Sequence, residues 1–279
     1  MNIKELKQFL PYAMKTKVAV MVHGLHGIGK SQTIKQFADE QGMQFIDRRL
    51  SQMESGDLLG LPSLEGGLTS FFTPDWLPQD PNSKGILFLD EINRARRDVL
   101  QGVFQLVLDR QLGSYKLPEG WSVISAINPN TDDYDVTNVF DEALLDRFLH
   151  VKLNPTEDEY VSYLRTQSSV DQDMVSFLQA RPELIENTKL NNFSLEVKPS
   201  RRSWYKAAEL YKMGVPDNLV LEGIGGLVGA TNVSMFLAWL EENETKPFKA
   251  EEILNEKTQQ FLTLIHSNNF EEFTKNLPQ

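Results

Sequence analysis

Two stretches of this chain carry residue types, at spacings, that handle phosphate. The first is Gly24-Leu25-His26-Gly27-Ile28-Gly29-Lys30-Ser31, which fits the phosphate-loop pattern G-x-x-x-x-G-K-S/T. Glycines at such positions let the backbone curl so that its N–H groups point inward onto an anion. Lys30 would reach the β- and γ-phosphates of a nucleotide, and the Ser31 hydroxyl would ligate Mg²⁺. The second stretch is Gly85-Ile86-Leu87-Phe88-Leu89-Asp90-Glu91, an apolar run ending on two acids. Asp90 would hold Mg²⁺, directly or through water, and Glu91 would orient and activate an attacking water.

These groups work only if a strand delivers each of them to one edge of a sheet. Val18 to Val22 is a short β-branched run that reads as a buried strand entering the loop. Thr33 to Gln41 carries Ile34, Phe37 and Ala38 at helical spacing, with Gly42 as the stop, so a helix leaves the loop and adds its N-terminal partial charge to the site. Gly85 to Leu89 predicts a buried parallel strand with its acids at the C-terminal edge, where open α/β sheets place ligands.

The remaining elements frame these. Met1 to Leu10 reads as an amphipathic helix, and no apolar core follows its charges as in a signal peptide. Further strands are predicted at Gln44–Ile46, Trp121–Ile127 and Phe148–Leu153, and helices from Ser55, over Arg97–Arg110 and over Phe140–Leu145. Hairpins are predicted about Gly66-Gly67 and within Gln111–Trp121. Beyond Asn154-Pro155 the pattern changes. Thr156 and Glu159 form a capping box, and only helical segments follow, among them Trp204–Tyr211, Met235–Leu240 and Phe261–Ile265. The expected organisation is an α/β domain over residues 1–154 and an all-helical domain over 155–279.

Composition bounds the function. The 279-residue chain has no cysteine, which excludes disulfides and thiolate metal sites. Its net charge of −11 argues against indiscriminate binding to nucleic acid or anionic membrane. No apolar run approaches the ~20 residues that span a bilayer. A cytoplasmic location is the expectation.

The order phosphate loop, Asp90-Glu91-Ile92-Asn93-Arg94-Ala95, Asn128-Pro129, Ala143-Leu144-Leu145-Asp146-Arg147-Phe148 resembles the AAA+ ATPases, and within them the MoxR-like and dynein-related group. The resemblance spans roughly residues 15–153 and reaches further only through Pro199-Ser200-Arg201-Arg202, where the family usually shows Ser-Pro-Arg. It implies a P-loop NTPase fold: a five-stranded parallel sheet of order 5-1-4-3-2 between helices, then a helical lid. It also implies roles. Asn128 is the polar sensor of the γ-phosphate, and Arg147 is an arginine finger completing the neighbouring subunit's site, so the catalytic set is Lys30, Glu91, Asn128 and Arg147. Gly24, His26, Gly27, Ile28, Gly29, Lys30, Ser31 and Gln32 border the nucleotide, and Arg201 or Arg202 is the lid sensor. The sequence leaves open whether Arg94, Arg96 and Arg97 belong to an interface or to a solvated helix start. It also leaves open whether Phe71, Phe72 and Trp76 meet a substrate or are packed.

The implied protein hydrolyses ATP with Mg²⁺ as a homo-oligomeric ring, most often a hexamer, and remodels a protein partner such as one with a von Willebrand factor A domain. Two alternatives stay open. One is a nucleic-acid motor, loader or restriction-type GTPase, which the acidic balance disfavours. The other is a slow nucleotide-gated assembly switch.

Overall fold

The computed structural model describes residues 1–65, 68–128, 145–186 and 197–244. The turn at Gly66-Gly67, most of the predicted Phe140–Leu145 helix, Pro129, Ala143, Leu144 and the Phe261–Ile265 segment lie outside them.

In chain order the elements are α1 (Ile3–Lys15), β1 (Ala19–His23), α2 (Lys30–Glu40), β2 (Gln44–Arg49), α3 (Ser55–Leu59), β3 (Pro62–Glu65), β4 (Leu68–Phe71), β5 (Lys84–Asp90), α4 (Arg97–Asp109), β6 (Gln111–Leu112), β7 (Tyr115–Lys116), β8 (Gly120–Ile127) and β9 (Phe148–Lys152). Five of these strands form one sheet in the order β2-β5-β8-β1-β9, and every pairing in it is parallel. Counted along the chain, that is the 5-1-4-3-2 order expected from the resemblance. Two small antiparallel hairpins, β3-β4 and β6-β7, hang from it where hairpins were predicted.

The central strands are apolar on both faces because both faces are covered. Along β5, Leu87 and Leu89 enter a core with α4, while Ile86 and Phe88 enter a second core with α1 and α2. In β1, Ala19 and Met21 face the first core and Val20 and Val22 the second. The period of two in the pleat thus sorts a continuous apolar run into two layers. β2 is longer than Gln44–Ile46 because it lies at the sheet's rim, where Asp47-Arg48-Arg49 can continue the ladder without burial on both sides.

From residue 157 onward every described helix packs into a third core. It is built by α5 (Glu157–Arg165), α6 (Gln172–Ala180), α7 (Arg201–Lys212), α8 (Asp217–Val228) and α9 (Ala230–Glu244). Trp204, Phe177 and Phe236 are its largest fully buried side chains. The Thr156 hydroxyl accepts from Glu159 N–H and the Glu159 carboxylate accepts from Thr156 N–H, the predicted capping box. Among the described residues no helix is long and apolar enough to cross a membrane.

Candidate functional site

The register of the sheet places the candidate residues at one edge. His23 at the end of β1 is level with Ile127 of β8, and Leu89 of β5 is level with Ser125. Gly24, Asp90, Glu91 and Asn128 therefore all leave the C-terminal edges of adjacent parallel strands. Gly24 N–H donates to the Ile127 carbonyl at 3.2 Å, continuing the ladder into the loop.

The loop then closes on its own lysine. Gly29 has φ 90°, in the left-handed region that an L side chain rarely adopts, and this turn lets α2 start at Lys30, three residues before the predicted Thr33. Gly24 sits in close quarters: a Cβ there would lie 2.5 Å from Ile28 Cδ1 and 3.1 Å from the Leu153 carbonyl. Lys30 is 9% exposed, and its ammonium donates to Gly24 O at 2.7 Å, Leu25 O at 2.8 Å and Asn128 Oδ1 at 2.7 Å. Burial pushes its pKa down to about 8, and Arg202 adds to this against the opposing pull of Asp90 and Glu91.

The acids sit beside it. Burial holds the Asp90 carboxyl above its usual range, partly offset by the hydrogen bond it accepts from Glu91 N–H at 2.9 Å. Glu91 has φ 54°, an uncommon conformation for a residue with a Cβ, and its Oε2 accepts from Ser51 Oγ at 2.5 Å. Ser51 was not singled out in the sequence. It arrives here because β2 pairs with β5 (Arg49 is level with Asp90) and the chain then turns through the 3-10 segment Leu50–Gln52.

Two hard oxygen donors, the Ser31 hydroxyl at the start of α2 and the Asp90 carboxylate, fit Mg²⁺, which takes few protein ligands and completes its shell with phosphate and water. Among the described residues no three His, Cys, Asp or Glu side chains gather to hold an ion by themselves.

The two lid arginines part company. Arg201 is 5% exposed and fully engaged: its Nε donates to Glu186 Oε1 at 2.6 Å, NH1 to Thr156 O at 3.1 Å and NH2 to Pro155 O at 2.9 Å. Arg202 is exposed, and its Cβ lies 3.7 Å from the point a Cβ on Gly27 would occupy. Burial and then Arg202 lower the basicity of His26. A cavity of 1190 Å³ runs from Gly27, Ile28, Ser31 and Gln32 across to Arg202 and Tyr205.

Arg147 is not at this edge. It precedes β9, whose first residue Phe148 is level with Ala19, so five residues of β1, about 16 Å at ~3.3 Å each, separate it from the loop. Its guanidinium lies over the Phe104 ring at 5.6 Å. Of the other arginines, Arg96 pairs with Glu54 and Asp98, each at 3.4 Å, and Arg97 is exposed at the start of α4. Phe71 and Phe72 are exposed, whereas Trp76 is half-buried and donates to the Asp57 carbonyl at 2.9 Å.

Residues 19–148 match the family model of the AAA domain, dynein-related subfamily. No curated protein matches the sequence. Among solved structures, NtrX from Brucella abortus in complex with ADP is 17% identical, with 98% of this chain and 60% of that chain covered and a TM-score of 0.48. RuvB from Thermotoga maritima, solved as a mutant, is 14% identical over 85% of this chain and 69% of its own, with a TM-score of 0.48. A candidate ATPase from Cytophaga hutchinsonii is 13% identical over 84% and 88%, with a TM-score of 0.46. The chain spans 53% and 60% of the two NtrX chains it matches first.

Proposed function

We propose, from the match of residues 19–148 to the AAA domain of the dynein-related subfamily, that the chain is a Mg²⁺-dependent ATP hydrolase of the MoxR-like kind. In this reading it works as a ring and remodels a protein partner, with residues from 155 on serving as the lid. The observation that carries it is the convergence of Lys30, Asn128, Asp90 and Glu91 at one sheet edge, with Lys30 Nζ 2.7 Å from Asn128 Oδ1. Lys30 exchanges its three internal acceptors for phosphate oxygens, and the freed Asn128 amide turns to the γ-phosphate. Ser31 and Asp90 would hold Mg²⁺, which would supply positive charge opposite the phosphates. Glu91 orients the water and takes its proton. Arg202, beside Gly27, is the lid arginine that meets the phosphates, because Arg201 is committed to Glu186, Thr156 and Pro155.

Arg147 lies too far from its own loop to serve it, which supports a role in the adjacent subunit and hence a ring. The partner is a protein, since the chain is acidic, and a von Willebrand factor A domain protein is the first candidate. The test is phosphate release from Mg·ATP by the parent and by Glu91→Gln. Turnover in the parent with near-complete loss in the variant, and retained ATP binding, supports the reading. Equal turnover in the two overturns it.

One contact favours a slower machine. The Ser51 hydroxyl bonded to Glu91 occupies an oxygen that would otherwise face the water. If that bond restrains hydrolysis, as a nucleotide-gated switch requires, Ser51→Ala turns over faster than the parent. A slower Ser51→Ala sinks this second reading.

A further inference from the structure

Two histidines connect the phosphate loop to the turn that carries Arg147. His23, the last residue of β1 and the neighbour of Gly24, places Nε2 2.7 Å from Nδ1 of His150 on β9. His150 in turn places Nε2 2.8 Å from the Leu145 carbonyl oxygen, two residues before Arg147. A carbonyl oxygen only accepts, so Nε2 of His150 carries the proton. In the neutral ring Nδ1 is then bare, and it accepts from His23 Nε2–H. Both tautomers are thereby fixed, and both hydrogen bonds run in one direction, from the loop toward the Leu145 carbonyl. The rings sit 5.0 Å apart, and Phe148 closes on the edge of His150 at 6.5 Å. Burial lowers the basicity of His23, and the neighbouring His150 and Lys152 lower it further.

We propose that His150 is a positioning residue for Arg147: its Nε2–H holds the Leu145 carbonyl against β9, and His23 holds the imidazole in the tautomer that can do so. The inference rests on the reading of Arg147 as the arginine that serves the next subunit. Its consequence is directional. The strand that ends in one subunit's phosphate loop also sets the turn that this subunit offers to its neighbour, so a shift at Gly24 passes to Arg147 through two hydrogen bonds.

The test separates this from a structural prop of the subunit's own loop. His150→Phe keeps the ring and loses both hydrogen bonds. Turnover should fall at least tenfold while the Kd for ADP, which does not involve the finger, stays within twofold of the parent. His150→Phe subunits are then assembled with Glu91→Gln subunits, the two carrying different tags so that every purified ring contains both. Such rings should regain at least threefold the summed activity of the separate variants, because the Glu91→Gln neighbour supplies a sound finger to a sound site. Rings of Arg147→Ala with Glu91→Gln are the reference. If the reference recovers and the His150→Phe mixture does not, His150 acts on its own subunit and the proposal is overturned. If the reference itself fails to recover, the trans reading of Arg147 falls first. Should His150→Phe not fold, His150→Gln places an amide N–H where Nε2 sits and should keep turnover within threefold of the parent. His150→Asn, too short to reach Leu145, should lose at least tenfold. Equal activity of the Gln and Asn variants would also overturn the proposal.

Discussion

Lys30 makes nucleotide affinity depend on pH in a way its burial dictates. In the free protein its pKa is lowered to about 8, against about 10.4 for a lysine in water. Phosphates favour the ammonium, so binding raises the pKa again and takes up a proton wherever the free lysine is neutral. The sign follows: affinity is level below pH 8 and falls as pH rises past it. With a free pKa of about 8, the charged fraction drops from about 0.76 at pH 7.5 to about 0.03 at pH 9.5. The Kd should therefore rise about twenty-five-fold, or about 2 kcal/mol, at 1.36 kcal/mol per decade. The assay is calorimetric titration of Mg·ADP into the parent, which keeps the pull of Glu91 on Lys30; the terminal phosphate loses its last proton near pH 6, well below this window. Repeating it at pH 8.5 in buffers of different ionisation enthalpy should show uptake of about 0.8 proton per nucleotide. Lys30→Met should bind weakly and show neither slope nor uptake. A Kd that is flat from pH 7.5 to 9.5 in the parent, or a slope that survives in Lys30→Met, would refute the reasoning.

Arg201→Ala strips Glu186 and two backbone carbonyls of their partner and should cost about 3–5 kcal/mol of stability, read as a lowered denaturant midpoint. Arg202→Ala should leave that midpoint unchanged and weaken ATP binding; the reverse pattern would mean that the two roles have been exchanged. Arg147→Ala should keep ATP binding and lose turnover by roughly 10³–10⁵, the worth of a trans arginine; a loss under tenfold in phosphate release would count against it. Gly24→Ala drives a methyl to 2.5 Å from Ile28 Cδ1 and toward the Leu153 carbonyl, and should cost about 1–3 kcal/mol in chemical denaturation; a neutral result would show that the loop has slack.

What the sequence displayed was local chemistry. The phosphate loop and the strand ending in Asp90-Glu91 are contiguous, and their neighbours of opposite period fix strand and helix around them. The sheet order came from resemblance, because nothing in a strand's own residues says which strand it will lie beside. Ser51 escaped for the same reason: a serine in a polar turn has no periodicity, and only the pairing of β2 with β5 brings it to Glu91. Arg201 and Arg202 are adjacent in sequence and point about 100° apart on a helix of 3.6 residues per turn. Which of them is buried and which exposed is therefore set by how α7 is rotated, which the Ser200 N-cap and the anchor at Pro155 decide. His150 lies within a predicted strand like any other residue, and its contact with His23 comes only from the diagonal neighbourhood of β1 and β9.

The Arg201 anchor also sets the leverage of the molecule. Its guanidinium clamps the first turn of α7 to the carbonyls that open α5, so any rotation of the two helices about Pro155-Thr156 would carry them together, like a crank on a pin. Arg202, next to the pin, sits on the short arm. α7 is 12 residues long, a long arm of about 18 Å at 1.5 Å per residue. A rotation of about 10° there carries its far end through about 3 Å, while the short arm barely moves. In the proposed lid reading, such a rotation would gear a small displacement beside Gly27 up into a stroke comparable to the width of an atom where α7 ends near Lys212.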